Sequence, residues 1–169
     1  MVISKKMNKS LNDQITHELD ASHRYLAMAY CFDAMGLKIF GKHFAKQSAE
    51  ERTHALKIAK YVQDVGGDVE LGRIDNPKSD YKNAKEIVKA ALSGEETVTK
   101  QIHELMALAE DEKDYTARNF LEWFVNEQVE EEVSMRDLLQ LVTIAGDANI
   151  IQVEQRLAEG LNEDADEEE

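Results

Sequence analysis

Glu50-Glu51-Arg52-Thr53-His54 lies within a run from about Lys38 to Val65 whose apolar residues, Phe40, Phe44, Ile58, Tyr61, Val62 and Val65, recur at helical spacing. On a helix, Glu51 and His54 are three residues apart and project from one face toward one point in space. That face is the apolar one, and Gln47 shares it. An unpaired charge buried there costs several kcal/mol or more. A metal ion between the two side chains removes that cost, so the stretch asks for further ligands from neighbouring helices.

The chain around it has 169 residues, 43% of them hydrophobic, enough for one domain with its own core. One proline, eight glycines and no period-two alternation predict an all-α fold. A formal charge of −14 argues against binding nucleic-acid phosphates or anionic lipid, which takes a basic face, and favours cations as ligands. Met1-Val2-Ile3-Ser4-Lys5-Lys6 lacks the apolar segment of a secretion signal, and nowhere do about 18 apolar residues run together. A soluble, cytoplasmic protein is expected. The single cysteine, Cys31, excludes an internal disulfide or a multi-cysteine metal site and reads as a small residue of a helix.

A first helix is predicted from about Ser10 to Met35, with Leu11, Ile15, Glu18, Ser22, Tyr25 and Ala29 on one face and Gly36 as its stop. The second helix ends at Gly66-Gly67. Residues 66–82 hold the only proline, Pro77, and no periodicity. Seventeen residues reach at most about 56 Å, whereas a 28-residue helix is about 42 Å long, so this link can travel the length of a helix and leave the third parallel to the second. Asn83 and Glu86 form a capping pattern. The third helix follows to about Glu112, with Ile87, Ala91, Val98, Ile102, Leu105 and Ala109 on one face, Glu95 among them, and Gly94 beside that glutamate relieving crowding. A fourth, about Asp114 to Ala145, contributes Phe120, Phe124, Met135, Leu138 and Val142, with Glu131 central and Glu127 and Gln128 flanking it. Ile150, Val153, Leu157 and Leu161 mark a short fifth helix that needs a neighbour to pack on. The domain is expected over residues 1–161, with 162–169 an acidic, disordered tail.

A shift of 77 residues maps Glu18 onto Glu95, Glu50 onto Glu127, Glu51 onto Gln128 and His54 onto Glu131, and carries Phe44, Tyr61 and Val65 onto Leu121, Leu138 and Val142. Two helical hairpins packed face to face bring these polar side chains to the centre of one bundle. A single glutamate on an apolar stripe usually pairs with a basic residue or reaches solvent. Five such polar residues in a repeat, with no lysine or arginine in the middle of the stripes, point to metal instead. Carboxylate and imidazole donors suit iron, manganese or zinc, and several carboxylates together can bridge two ions. Glu50, Glu127 and Glu130 add a second acidic cluster, a weaker cation site. Tyr25, two turns beyond Glu18, either hydrogen-bonds a ligand carboxylate, hands an electron to a metal-bound oxidant, or satisfies its hydroxyl in the core. Trp123 reads as core, and His17, His23 and His103 as surface.

These residues resemble the ferritins, and most closely the bacterial non-haem ferritins. The resemblance rests on Thr16-His-Glu18-Leu, Glu50-Glu51-Arg-Thr-His54, Gln101-Ile-His-Glu-Leu105, Asp114-Tyr and Phe120-Leu-Glu-Trp-Phe-Val-Asn-Glu-Gln-Val-Glu-Glu-Glu132, and covers nearly the whole chain. It implies a ferritin-like four-helix bundle with one long crossover and a fifth helix lining channels in a homo-oligomeric shell of about 24 copies. It further implies a ferroxidase centre that binds two Fe(II), passes their electrons to dioxygen or hydrogen peroxide and releases Fe(III) to a stored mineral. By the resemblance Glu18, Glu51 and His54 hold the first iron. Glu51 bridges to a second held by Glu95 and Glu131, with Gln128 close by. Glu50, Glu127 and Glu130 match an extra iron site, and Tyr25 the tyrosine beside the centre. Bacterioferritins differ in having a haem-ligating methionine where Arg52 stands and a histidine in the last motif, so no haem is expected. Rubrerythrins carry a second E-x-x-H and a cysteine-rich domain, both missing here. The competing readings are a di-iron or di-manganese oxidase or peroxide scavenger that stores nothing, and a bundle that binds only a structural cation.

Overall fold

Three of the four long helices begin on a side chain from their own sequence, and the fourth on one from the far end of the chain. The computed structural model describes residues 3–167, and side-chain packing as far as Gly160. Ser4 Oγ accepts from Met7 N at 2.9 Å and starts helix α1, Lys5–Ala34. This start lies ahead of the expected Ser10, because Ser4 already supplies the capping hydroxyl and Met7 is fully buried. Asn83 and Asp114 cap α3 (Ala84–Asp111) and α4 (Tyr115–Ala145) through the amides of Glu86 and Ala117, both at 3.0 Å. Glu86 reaches back as expected, but to the amide of Lys82. Helix α2, Lys38–Asp64, has Leu37 at its cap position and no local acceptor. Glu154 supplies one from α5 (Ile150–Glu167), its Oε1 accepting from Ile39 N at 2.5 Å and Phe40 N at 3.3 Å. A carboxylate there also faces the positive end of the helix dipole. Gly36 and Gly66 turn the chain at φ +82° and +79°, where other residues are strained.

The bundle's directions follow from contacts at its ends. Ile3 N donates to Val65 O, so α1 and α2 form an antiparallel hairpin. Ser4 Oγ donates to Glu112 Oε2 at 2.6 Å, which places the start of α1 at the end of α3. Helix α1 is therefore antiparallel to both, α2 and α3 are parallel, and the segment between them crosses the length of the bundle as its span predicted. It is pinned along α1 on the way. Asn12 donates to Asp68 O at 2.8 Å and accepts from Glu70 N at 2.7 Å, and Thr16 Oγ1 accepts from Gly72 N at 3.1 Å.

The apolar core is two clusters. One gathers Phe32, Phe40, Phe44, Ile87, Met135 and Val142, with Val153 of α5 packed on its end. The other gathers Met7, Leu11, Ile15, Ile58, Leu121 and Phe124. Each fully buried Leu, Ile or Phe contributes about 1.5–3 kcal/mol. Between the clusters lies a layer of buried polar side chains, Glu18, Glu51, His54, Glu95, Gln128 and Glu131. Tyr61, Val65 and Phe120, expected in the core, are only partly buried, Tyr61 stacking on Phe120 with centroids 3.9 Å apart.

The fold class is as the periodicity predicts: all-helical among the described residues, with one crossover and a fifth helix. The backbone of α5 continues beyond the expected Leu161 boundary to Glu167, since no proline or glycine follows Gly160 and alanine and glutamate favour helix. Of the segment expected as a disordered tail, residues 168 and 169 lie outside the described residues, as does the packing of Leu161. None of the described helices is long and apolar enough to cross a membrane.

The Glu154 contact predicts that Glu154→Ala lowers stability by about 1 kcal/mol, the usual value of a helix N-cap. Hydrogen exchange read by mass spectrometry should show faster exchange at the Ile39 and Phe40 amides with the rest of α2 unchanged. Glu154→Gln should retain part of the protection.

Candidate metal centre

Glu18 on α1 and Glu51 and His54 on α2 are 1%, 1% and 5% exposed. Each offers a donor atom, and these atoms lie within 4.8 Å of one another, the one such trio of potential ligands among the described residues. His54 Nδ1 stands 3.4 Å from Glu51 Oε2. Glu18 Oε1 accepts from Gln14 Nε2 at 2.9 Å, whereas its Oε2 is buried with no hydrogen-bond partner. A buried, unpartnered carboxylate oxygen facing a second carboxylate and an imidazole is a donor set completed by a cation.

The other hairpin supplies the second half of the layer. Glu95 on α3 receives the Tyr25 hydroxyl on Oε1 and Gln128 Nε2 on Oε2 and on its main-chain oxygen, both at 3.3 Å. Tyr25 is thus bonded to a ligand candidate. Gln128 acts here through Glu95, its amide also reaching Thr99 Oγ1 at 3.4 Å. Glu131 on α4 accepts from Gln47 Nε2 at 3.1 Å, and Gln47 also donates to Glu50 at 2.9 Å. Glu50, Glu127, Glu130 and Glu131 line one open cleft of about 340 Å³ between α2 and α4. Glu127 Oε1 stands 4.0 Å from His54 Nε2, so cleft and buried trio are neighbours.

Burial dominates the electrostatics. It pushes the Glu18 carboxyl well above the usual range, with the charge of Glu51 adding to the effect. Burial and then Glu95 raise Glu51 to about 8, and burial with Glu95, Glu50 and Glu127 raises Glu131 to about 8. Glu95 is raised by burial and held back by its bonds from Tyr25 and Gln128. Tyr25 is itself pushed well above 10, by burial and then by Glu95. Without a cation the layer therefore carries protons at neutral pH, and a metal displaces them.

Four residues of the site were not assigned their parts from sequence. Gln14 lies four residues before Glu18, a spacing that marks a same-face contact. Gln47 was placed on the right face without a role. Trp123, expected in the core, is 37% exposed, its ring edge-on to His54 at 5.4 Å and capped by Lys57 Nζ at 3.0 Å from the centroid. It forms the outer wall of the histidine, because its position faces the seam between α2 and α4. Arg24, off the apolar stripe, lies near enough to lower Glu51 and Glu95. Gly94 makes room for Arg24: a Cβ there would lie 3.1 Å from Nη1. His17, His23 and His103 are exposed, as expected.

The raised carboxyls set a pH dependence. Between the ordinary carboxylate value of 4.5 and about 8, the folded state holds protons at Glu51 and Glu131 that the unfolded chain has released. Stability from these groups therefore falls as pH rises through that window. The metal-free protein should melt at a lower temperature at pH 8.5 than at pH 6.0. A Glu51→Gln/Glu131→Gln double variant should flatten that slope, and so should saturating Zn(II), measured by differential scanning calorimetry.

The chain's relatives bear on this geometry. Residues 8–144 match the family model for the ferritin-like domain. The bacterial non-heme ferritin of Staphylococcus aureus (strain MRSA252) is 38% identical over 146 residues, spanning 86% of this chain and 88% of the relative. That of Staphylococcus haemolyticus (strain JCSC1435) is 39% identical over 147 residues, with the same coverage. Among solved structures, the open pore ferritin of the hyperthermophilic archaeon Archaeoglobus fulgidus superposes with a TM-score of 0.90 at 38% identity, over 92% of this chain and 96% of that one. The chain belongs to the ferritin family.

Proposed function

We propose that the protein stores and detoxifies iron, oxidising Fe(II) at the buried layer and depositing Fe(III) inside a hollow homo-oligomeric shell of about 24 subunits in the cytoplasm. The observation that carries this reading is the convergence of Glu18, Glu51 and His54, with one Glu18 oxygen unpartnered, in a member of the ferritin family. Iron here is substrate and cargo. Glu18 and His54 take the first Fe(II), Glu51 spans to a second, and Glu95 and Glu131 complete that second position. Glu50, Glu127 and Glu130 hold a third ion in the adjoining cleft.

The ligands explain the direction of the chemistry. Hard carboxylate oxygens favour Fe(III) over Fe(II), so a bound pair is easier to oxidise than the free ions. Two Fe(II) give up one electron each, and dioxygen with two protons becomes hydrogen peroxide. With peroxide as oxidant, the same two electrons and two protons yield two waters. Glu51 and Glu131, raised to about 8, release protons within the site as the cations arrive. Tyr25 holds Glu95 in place through its hydroxyl. The second position lacks a histidine and holds its ion less firmly than the first, which lets product move on to storage.

Glu51→Ala and His54→Ala each remove a direct ligand and should abolish the rapid aerobic oxidation of Fe(II), a loss beyond the roughly 10–100-fold that residues supporting a ligand cost, and leave assembly intact. Stopped-flow absorbance and sedimentation velocity read the two effects. Glu130→Ala should keep the fast phase and change the iron stoichiometry or a later phase. A wild-type protein sedimenting as a monomer or dimer at micromolar concentration would reject storage. Uptake saturating at two or three ions per subunit would favour an oxidase or peroxide scavenger that stores nothing.

A further inference from the structure

The polar layer is reached from two sides of the bundle, and the two approaches differ in chemistry. On the α2/α4 side the cleft is wide and open, with four carboxylates, Glu50, Glu127, Glu130 and Glu131, against one lysine, Lys46, and His43. On the opposite, α1/α3 side a narrow cavity of about 10 Å³, room for about one water, runs down to Tyr25 and Glu95. Its walls are Ala21, Met28, Ala91 and Val98, and Arg24 and Gly94 stand at its rim. Tyr25 and Glu95 are 4% and 2% exposed, whereas the Arg24 side chain is 34% exposed, which fixes the inner and outer ends. Arg24 Nε is buried without a hydrogen-bond partner, although Asp20 Oδ2 pairs its charge at 3.0 Å. The absent Cβ of Gly94 leaves the guanidinium its place.

A hydrated cation gains nothing on this path. It would lose its water shell against apolar walls, and the rim offers it only an arginine already paired with Asp20. Dioxygen, small and apolar, pays neither penalty, and hydrogen peroxide pays only the smaller desolvation cost of a neutral hydroxyl compound. We propose that the Arg24–Gly94 cavity is the port for the oxidant, a small uncharged oxygen species such as dioxygen or hydrogen peroxide, while Fe(II) enters by the acidic cleft. The port opens at Glu95 and at the Tyr25 hydroxyl bonded to it, beside the second iron position. The inference rests on the ferroxidase reading above and adds to it a separation of the two substrates on opposite faces.

Gly94→Ala places a methyl group 3.1 Å from Arg24 Nη1 and narrows the rim. The change favours the helix, so the variant should fold. Ala91→Leu fills the cavity directly from its wall. Crystal structures should show the cavity in the wild type and its closure in both variants, with the metal ligands unmoved. Anaerobic Fe(II) or Co(II) titration should give wild-type stoichiometry and affinity in both. Oxidation of the preloaded Fe(II) pair should then be at least threefold slower, with runs using dioxygen and hydrogen peroxide separately showing which species the port serves. Wild-type oxidation rates with both oxidants in variants whose cavity is closed, or metal binding that weakens in parallel with the rate, would each overturn the port and leave the ferroxidase reading standing. A wild-type protein that binds Fe(II) and fails to oxidise it would overturn both.

Discussion

The bundle is built around carboxylates buried where a four-helix core is normally apolar. Glu18, Glu51, Glu95 and Glu131 reach the middle of the molecule, each at 8% exposure or less. Burial pushes all four toward protonation, and the charge of neighbouring carboxylates adds to it at Glu18, Glu51 and Glu131. Such a layer persists only if the apolar packing on each side outweighs its cost. The division of the core into two clusters is the form that compensation takes: Phe32, Phe40 and Phe44 pack beyond one side of the layer, and Leu11, Ile58 and Phe124 beyond the other. Amides contribute inside the layer, with Gln14 holding Glu18, Gln128 holding Glu95 and Gln47 holding Glu131.

The hairpins repeat in sequence and yet do different work. Their correspondence brings Glu18 and Glu95 into one layer from opposite helices. The exchanges of Glu51 for Gln128 and His54 for Glu131 make the sides unequal. The α1/α2 side has two carboxyl groups and an imidazole with donor atoms within 4.8 Å of one another. The α3/α4 side has two carboxylates already engaged by Tyr25, Gln128 and Gln47. Unequal ligand sets mean unequal hold on two like ions, and a centre that releases its product needs that inequality.

Helical phase alone made much of this legible. Glu51 and His54 share a face at a spacing of three, Glu18 and Glu95 sit inside apolar stripes, and the 66–82 link is long enough to cross a bundle. What phase could not show is how far a side chain reaches across a seam. Trp123 was expected inside and instead covers His54 from the rim, since its exposure depends on the gap between α2 and α4. Arg24 was invisible as a neighbour of the layer because it lies off the stripe and reaches in only where Gly94 leaves room. Gln14, four residues from Glu18, could have been found by the helical rule that located the rest. Glu154 could not: it serves amides 115 and 114 residues away, and no local pattern records that.

That remote contact ties the fifth helix to the site through a single rigid element. Helix α2 carries Gln47, Glu50, Glu51 and His54, and its first turn is held by Glu154 of α5. From Ile39 to Glu51 is about 18 Å along one helix at 1.5 Å per residue. Phe40 takes part at both levels, since its amide is bound by Glu154 and its ring stacks on Phe32 at 4.7 Å in the cluster adjoining the layer. The helix that Glu154 caps supplies two of the three members of the ligand trio, Glu51 and His54.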